Sequence, residues 1–197
     1  SSMKTHFEER TGVPYPWGEY RQVFVQRFLY GGMENTSATI NTDSLVVGKE
    51  LEAARPRVKG IVAHELAHQW YGDYLTSRTW RELWLNEGFA TFMEYLAIDN
   101  CYPEWRIFDE FIGSTFYRAL DLDGLDSSHA IEVPVGHPSE IDEIFDTISY
   151  CKGASVIRML YEWIGDAAFR KGMKQYLTKF SYKNAFTEDL WESLSEA

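Results

Sequence analysis

The 197-residue sequence is poor in cysteine and in positive charge, and it has no long hydrophobic run. Its two cysteines, Cys101 and Cys151, are too few for a disulfide framework or a cysteine-based zinc ribbon. Lysine and arginine number 19 against 30 acidic residues, and the resulting net charge of -11 makes nucleic acid and anionic membranes poor candidates as partners. No segment approaches the roughly 20 consecutive apolar residues of a membrane-spanning helix, so no membrane segment is predicted.

The composition is that of a globular protein. Hydrophobic residues make up 45% of the chain and aromatic residues 16%, which is enough for a real core. Two unpaired thiols favour a reducing compartment, and hence a cytoplasmic location over a secreted one. The chain opens on Ser1-Ser2-Met3 and ends on a predicted helix without a tail, so we interpret it as one domain excised from a longer protein.

β-Branched and aromatic residues predict strands in the first third of the chain. They concentrate in residues 21–30, 37–41 and 44–48, with glycines between the first two segments. Residues 11–20 are rich in proline and glycine and are predicted to form an entry loop. Residues from about 1 to 50 are therefore expected to form a β-rich lobe.

From about residue 51 onward the spacing of apolar residues becomes helical, and a helical lobe is expected over about 51–197. Strands first and helices later indicate an α+β fold in a single domain. Residues 123–140 are predicted to be a loop. The predicted helices cover residues 57–71, 80–99, 103 to about 120, 152–164 and 166–179, with a last short helix after Thr187.

The segment HELAHQW, residues 64–70, contains two histidines four positions apart. Positions i and i+4 share one helix face, so His64 and His68 can bind one metal ion together. At about 100° per residue, Glu65 lies beside that face, where a general base belongs. The helix is apolar almost all round and is predicted to be buried, so its histidines need polar partners. The alternative is a pair of core histidines with ordinary hydrogen-bond partners.

A hydrolytic zinc site needs a third protein ligand and one open position. Glu87 in WLNEGFA is the candidate, because the eighteen residues between His68 and Glu87 suit a helix end, a turn and the start of a second helix. Thr91 and Glu94 follow Glu87 at i+4 and i+7 on the same face. They could hold the ligands in place, or they could equally form a polar stripe that faces solvent.

Three motifs in this order and spacing resemble one family. HExxH followed after eighteen intervening residues by the NEG glutamate, GGMEN at 31–35 and ISYCKGASVIRML at 148–160 are similar to the signature of gluzincin zinc aminopeptidases of the membrane-alanyl type. That family includes aminopeptidase N, puromycin-sensitive aminopeptidase and leukotriene hydrolase. The resemblance runs from about Val13 to the C-terminus. It implies a thermolysin-like catalytic domain with zinc between a small β-sheet lobe and a mainly helical lobe. It also implies an N-terminal β domain and a C-terminal helical domain as flanking partners outside this chain.

The resemblance implies a role for each motif residue. The enzyme would hold one Zn²⁺ per chain and remove the first residue from peptides with a free N-terminus. Glu65 would be the general base toward a zinc-activated water, Tyr150 would stabilise the oxyanion, and Glu34 would bind the substrate amine. The implied zinc ligands are His64, His68 and Glu87, and the implied substrate-binding residues are Gly31, Gly32, Met33, Glu34 and Asn35.

Three alternatives stay open at this point. The first is an endopeptidase on the same scaffold, against which GGMEN argues. The second is a leukotriene-hydrolase-like enzyme with an added epoxide activity, suggested by Tyr30 before the glycines. The third is a peptide-binding module that kept the fold and lost the chemistry, although every ligand is intact. The remaining histidines, His6, His129 and His137, match no zinc position and are expected at the surface or in loops.

Overall fold

The computed structural model describes residues 2–48 and 52–197, so the predicted boundary between the two lobes lies outside the described residues. The chain opens with helix α1, Ser2–Thr11, which the sequence did not predict. This helix buries Phe7 and His6 against the helical part of the molecule. The expectation that His6 lies at the surface or in a loop is therefore wrong.

A small sheet follows the entry loop. Its strands are β1 (Arg21–Val25), β2 (Gly32–Met33) and β3 (Ala38–Thr42), in the order β1-β3-β2. Strand β1 runs parallel to β3, and β2 runs antiparallel to it. The predicted strand at 44–48 is wrong, because a 3₁₀ turn forms at Asp43–Leu45, where the Thr42 hydroxyl caps the Ser44 amide.

Two helices carry the HELAHQW and NEG motifs. Helix α2 spans Arg55–Ala67 and helix α3 spans Trp84–Cys101, against predicted ranges of 57–71 and 80–99. Helix α2 ends early because the chain turns back through Gly72, whose φ of 133° suits glycine. Only the second half of α2 is buried, so the prediction of a helix buried all round is wrong.

Helices dominate the rest of the chain. The predictions of helices at 152–164 and 166–179 are confirmed to within one residue. The helix predicted from Pro103 is interrupted by Arg106, whose φ is 48°. The remaining elements are β4 (Leu75–Ser77), α4 (Ile107–Glu110), a π-helical segment (Phe111–Phe116), α5 (Tyr117–Asp123), α6 (Ile141–Ile144), a π-helical turn (Ile148–Lys152), α7 (Gly153–Ile164), α8 (Asp166–Lys179), β5 (Lys183–Ala185) and α9 (Thr187–Ser195).

Helix α3 is the centre of the core and packs against α2, α7 and α1. Its apolar residues interlock with aromatic side chains from the neighbouring elements, and burial of this area is the main favourable term in folding. The predicted α+β class is confirmed. Among the described helices, none is long and apolar enough to cross a bilayer. The largest fully buried side chains include Phe7, Trp70, Trp84, Phe89 and Phe92.

Helices α3 and α7 cross at a pair of glycines. A Cβ atom at Gly88 would lie 2.9 Å from the Gly153 carbonyl carbon, and one at Gly153 would lie 3.2 Å from the Gly88 Cα. The two backbones therefore touch directly, without side chains between them. Glu87 precedes Gly88, and Tyr150 lies three residues before Gly153, so this contact brings both side chains to one place.

Candidate active site

Helices α2 and α3 bring three predicted ligands together. His64 Nε2 lies 3.1 Å from His68 Nε2 and 3.3 Å from Glu87 Oε2. The third separation, from His68 Nε2 to Glu87 Oε2, is 3.2 Å. These three residues form a group whose geometry could hold a metal ion.

The tautomers of both histidines leave lone pairs facing the centre of this group. His68 Nδ1 lies 2.9 Å from the carbonyl oxygen of Tyr71, so it must donate its proton there. His64 Nδ1 lies 3.3 Å from Glu94 Oε2 and donates to that carboxylate. When both imidazoles are neutral, their two lone pairs and the Glu87 carboxylate converge, which is unfavourable unless a metal ion lies between them or an imidazole takes up a proton.

The separations fit a tetrahedral zinc site. Two ligands about 2.05 Å from an ion at a tetrahedral angle stand about 3.3 Å apart. Two imidazoles and one carboxylate are also the ligand set of catalytic zinc sites, which keep a fourth position open. Burial raises the pKa of Glu87, but the adjacent His68 and His64 more than offset this effect and hold it well below its usual range.

Glu65 lies beside the ligands and against the GGMEN segment. Its side chain is only 6% exposed, and its carboxylate touches the backbone of Gly32, where any Cβ atom would overlap it. Burial raises the pKa of Glu65 to about 7; the two histidines oppose this shift, and Glu34 and Glu87 add to it. A carboxylate with a pKa near neutrality can both accept and return a proton.

Tyr150 lies in the π-helical turn and covers His64. The two rings stack with their centroids 5.9 Å apart and an interplanar angle of 11°. Burial, and then the negative charge of Glu87, raise the pKa of Tyr150 well above its usual range. The phenol therefore stays protonated and remains a hydrogen-bond donor beside the three predicted ligands.

Asp146 fixes the turn that carries Tyr150. Its Oδ1 accepts hydrogen bonds from the amides of Ile148 and Ser149, at 2.9 and 3.0 Å. Its Oδ2 lies 2.6 Å from His129 Nε2, which ties the turn to the preceding loop. The sequence analysis missed Asp146, although an aspartate two residues before a helical turn is a recognisable capping signal.

The GGMEN segment borders the site on its sheet side. Strand β2 contains Gly32 and Met33, while Glu34 is half-buried just beyond its end and Asn35 is exposed. Gly31 packs near Ile61 of α2, since a Cβ atom added to this glycine would lie 3.3 Å from Ile61 Cδ1.

The two supporting residues on α3 differ in their contacts. Glu94 reaches His64 through the contact to Nδ1, and a Cβ atom at Gly60 would overlap the Glu94 carboxylate. Thr91 is buried one turn beyond Glu87. Within the described part of the chain, no side-chain hydrogen bond joins Thr91 to a ligand, so its supporting role stays a prediction.

Comparisons with known proteins agree on one family. The peptidase family M1 domain matches residues 2–197. The chain is 46% identical over 97% of its length to "Aminopeptidase 2, mitochondrial" of Saccharomyces cerevisiae, and 48% identical over 95% to "Aminopeptidase M1" of Arabidopsis thaliana. It is 41% identical over 96% to "Leucyl aminopeptidase" of Saccharolobus solfataricus. The matched region spans 20%, 22% and 24% of these relatives, respectively.

Proposed function

The chain belongs to peptidase family M1, and from that premise we propose that it is the catalytic domain of a zinc aminopeptidase. It spans between a fifth and a quarter of the relatives' length, so the activity of the whole protein is part of the proposal. The observation that carries it is the convergence of His64, His68 and Glu87 in separations that fit zinc. The family relationship and the α+β architecture also support a thermolysin-like arrangement, with the three-stranded sheet beside the helical part.

His64, His68 and Glu87 would hold one Zn²⁺. When bound there, the ion supplies a Lewis acid that lowers the pKa of water and polarises the scissile carbonyl. Glu94 orients His64, and the Tyr71 carbonyl orients His68, so both rings present Nε2.

Glu65 and Tyr150 would perform the proton transfer and the charge stabilisation. A Glu65 carboxylate oxygen accepts a proton from the attacking water and delivers it to the leaving amine. The Tyr150 hydroxyl donates a hydrogen bond to the carbonyl oxygen as negative charge develops on it. The burial of Glu65 and the partial burial of Tyr150 support this assignment, because electrostatic interactions are stronger where water is excluded.

Glu34 would bind the free α-amine of the substrate. A carboxylate next to the metal ligands forms a charge-assisted hydrogen bond with an ammonium group. The backbone of Gly31 and Gly32, with Met33 and Asn35, would line the N-terminal part of the peptide. The charge of Glu34 contributes to the raised pKa values of Glu65 and Tyr150, after burial in both cases, which supports its closeness to the site.

The test is zinc stoichiometry of the purified protein together with hydrolysis of matched free and N-acetylated peptides, with and without a chelator. We expect one zinc per chain, chelator-sensitive cleavage and a strong preference for the free N-terminus. Glu65→Gln should keep the zinc and lower kcat by about a hundredfold or more, since it removes the base. Equal cleavage of free and acetylated peptides would contradict an aminopeptidase, and an active Glu65→Gln variant would contradict its role as the base.

A further inference from the structure

The side chain of Gln69 links the metal-binding helix to the segment that carries Glu34. Gln69 directly follows the ligand His68 and is completely buried. Its Nε2 donates to the Glu34 carbonyl oxygen at 3.0 Å. Its Oε1 accepts from the Ser37 amide at 2.8 Å. One amide group therefore holds both ends of the turn at residues 34–37.

The orientation of this amide is fixed by its partners. A peptide N–H can only donate and a peptide carbonyl can only accept, so Oε1 must face Ser37 and Nε2 must face Glu34. The second N–H and the second lone pair of the amide also have partners, because Nε2 donates to Asp73 Oδ2 at 3.0 Å and the Tyr15 hydroxyl donates to Oε1 at 3.3 Å. All four hydrogen bonds available to a glutamine side chain are made.

The segment needs such an anchor because the sheet gives it little support. Strand β2 is two residues long, with Gly32 opposite Asn41 and Met33 opposite Ile40. Ser37 has a φ of 63°, in the left-handed region that a serine seldom adopts. Glu34 lies between this short strand and this strained residue, so Gln69 fixes its backbone relative to α2.

We propose that Gln69 is the positioning residue that sets the distance between the Glu34 carboxylate and the metal ligands, and thereby the discrimination between free and blocked N-termini. This inference rests on the proposed function. A substrate bound at the metal through its carbonyl presents its amine at a fixed distance, so a displaced carboxylate loses the contact. The four hydrogen bonds of this amide go to Tyr15, Glu34, Ser37 and Asp73, and none goes to a proposed metal ligand, to Glu65 or to Tyr150.

The variant Gln69→Glu isolates this role. In its ionised form the carboxylate keeps an acceptor for the Ser37 amide and the Tyr15 hydroxyl and has no donor for the Glu34 carbonyl, so binding is measured at a pH at which this group is ionised. Gln69→Glu alone would place a second carboxylate against that of Asp73. Adding Asp73→Asn replaces this repulsion with a hydrogen bond, so the double variant should fold while the hydrogen bond to the Glu34 carbonyl stays absent. Tyr15→Phe is the matched control, since it removes one of the four hydrogen bonds without touching the turn at 34–37.

The readout is calorimetric binding of L-alanine hydroxamate and of its N-acetyl derivative to the zinc-loaded protein. Both probes chelate the metal, and only the first offers a free amine. We expect Gln69→Glu/Asp73→Asn to lower the ratio of the two affinities by about tenfold or more, through weaker binding of the free-amine probe. Tyr15→Phe and Asp73→Asn alone should leave this ratio within about threefold of the wild-type value.

A double-mutant cycle with Glu34→Ala separates the inference from the proposed function. If Gln69 acts through Glu34, its substitution changes nothing further in the Glu34→Ala background. If Glu34→Ala lowers the affinity ratio but Gln69→Glu/Asp73→Asn leaves it at the wild-type value, the inference about Gln69 is overturned and the proposed amine site is not. No effect of Glu34→Ala on the wild-type ratio would overturn the proposed amine site, and the inference with it.

Discussion

Gly31 and Gly32 are chemically identical neighbours with very different surroundings. A methyl group on Gly31 would meet only the flexible end of Ile61, whereas one on Gly32 would overlap the carboxylate of Glu65. Neither has a positive φ among the backbone angles of the described residues, so the difference is one of space rather than of backbone strain. The close approach at Gly32 thus fixes the position of the proposed base.

Gly32→Ala should therefore lower kcat far more than Gly31→Ala. A displacement of about 1 Å at a catalytic group can cost on the order of a hundredfold in rate. We expect a loss of that order in kcat for Gly32→Ala, with zinc content unchanged, and less than about threefold for Gly31→Ala. The measurement is steady-state kinetics on a free-amine peptide. Equal effects of the two substitutions would show that Gly32 does not set the position of Glu65.

Glu94 contacts His64 and is expected to act on the proposed zinc through it. Because its carboxylate accepts the Nδ1 proton of His64, Glu94→Ala should weaken zinc binding by about 10- to 100-fold. Competition with a fluorescent zinc chelator measures this affinity. Asp99→Asn is the matched control, since it removes a carboxylate from the same helix more than one turn beyond Glu94. A wild-type zinc affinity in Glu94→Ala would show that the contact does not support the ligand.

At the scale of elements, the contact between α3 and α7 keeps Tyr150, just before α7, close to Glu87 on α3. The backbones meet at Gly88 and Gly153 without space for a methyl group. A larger residue at either position must separate the helices, and close-packed interiors resist such changes. Separation would carry Tyr150 away from His64, because the π-helical turn continues directly into α7.

Gly153→Ala should destabilise the protein by about 1–3 kcal/mol through overpacking and should lower kcat. Gly113→Ala is the control, because Gly113 is also helical and nothing lies within 4 Å of the place that its Cβ atom would take. Gly113→Ala should stabilise the protein by up to about 1 kcal/mol, since alanine favours a helix. Urea denaturation measures both values. A neutral Gly153→Ala would mean that the helices can separate freely.

Most of the helices, and the closeness of His64 and His68, could be predicted from the sequence because their signals are local. His64 and His68 are one turn apart, so their common face follows from helical periodicity alone. Gln69 could not be identified in this way, because Glu34 is 35 residues away in sequence and only the packed sheet brings it near. Helix α1 was not predicted because most of its residues are polar or charged, and its few apolar residues, which include Met3 and Phe7, give no clear helical pattern. The strand predicted at 44–48 failed because a local cap by Thr42 overrides β-propensity.

The stability of the whole molecule should depend on pH through His6. Its side chain is buried, and its Nε2 has no hydrogen-bond partner among the described residues. Burial, with the charges of Arg10 and Arg170, lowers its pKa from 6.5 to about 4. The unfolded chain therefore binds more protons than the folded chain between these values. Stability from this group is fully present above pH 6.5 and falls as the pH drops toward 4.

The free energy of unfolding should fall between about pH 7 and about pH 4.5, and this fall should be smaller in His6→Gln than in the wild type by on the order of 2 kcal/mol. Urea denaturation at the two pH values gives this difference directly. His137→Gln is the control, because it makes the same substitution at an exposed position in the loop before α6. An equal loss of stability in wild type and His6→Gln would show that the fold does not lower the pKa of His6.

The hydrogen bonds of Gln69 also bear on how this site could be reused. The proposed metal-binding pair and the proposed base lie within about one turn at the end of α2, so that turn is a compact unit for grafting onto another helix. The partners of Gln69 come from positions 15, 34, 37 and 73, which no short graft includes. A transplanted HELAHQ segment, given a third ligand, would carry hydrolytic chemistry into a new scaffold. The transplanted segment would lack the proposed preference for free N-termini, because that preference depends on residues of the parent fold.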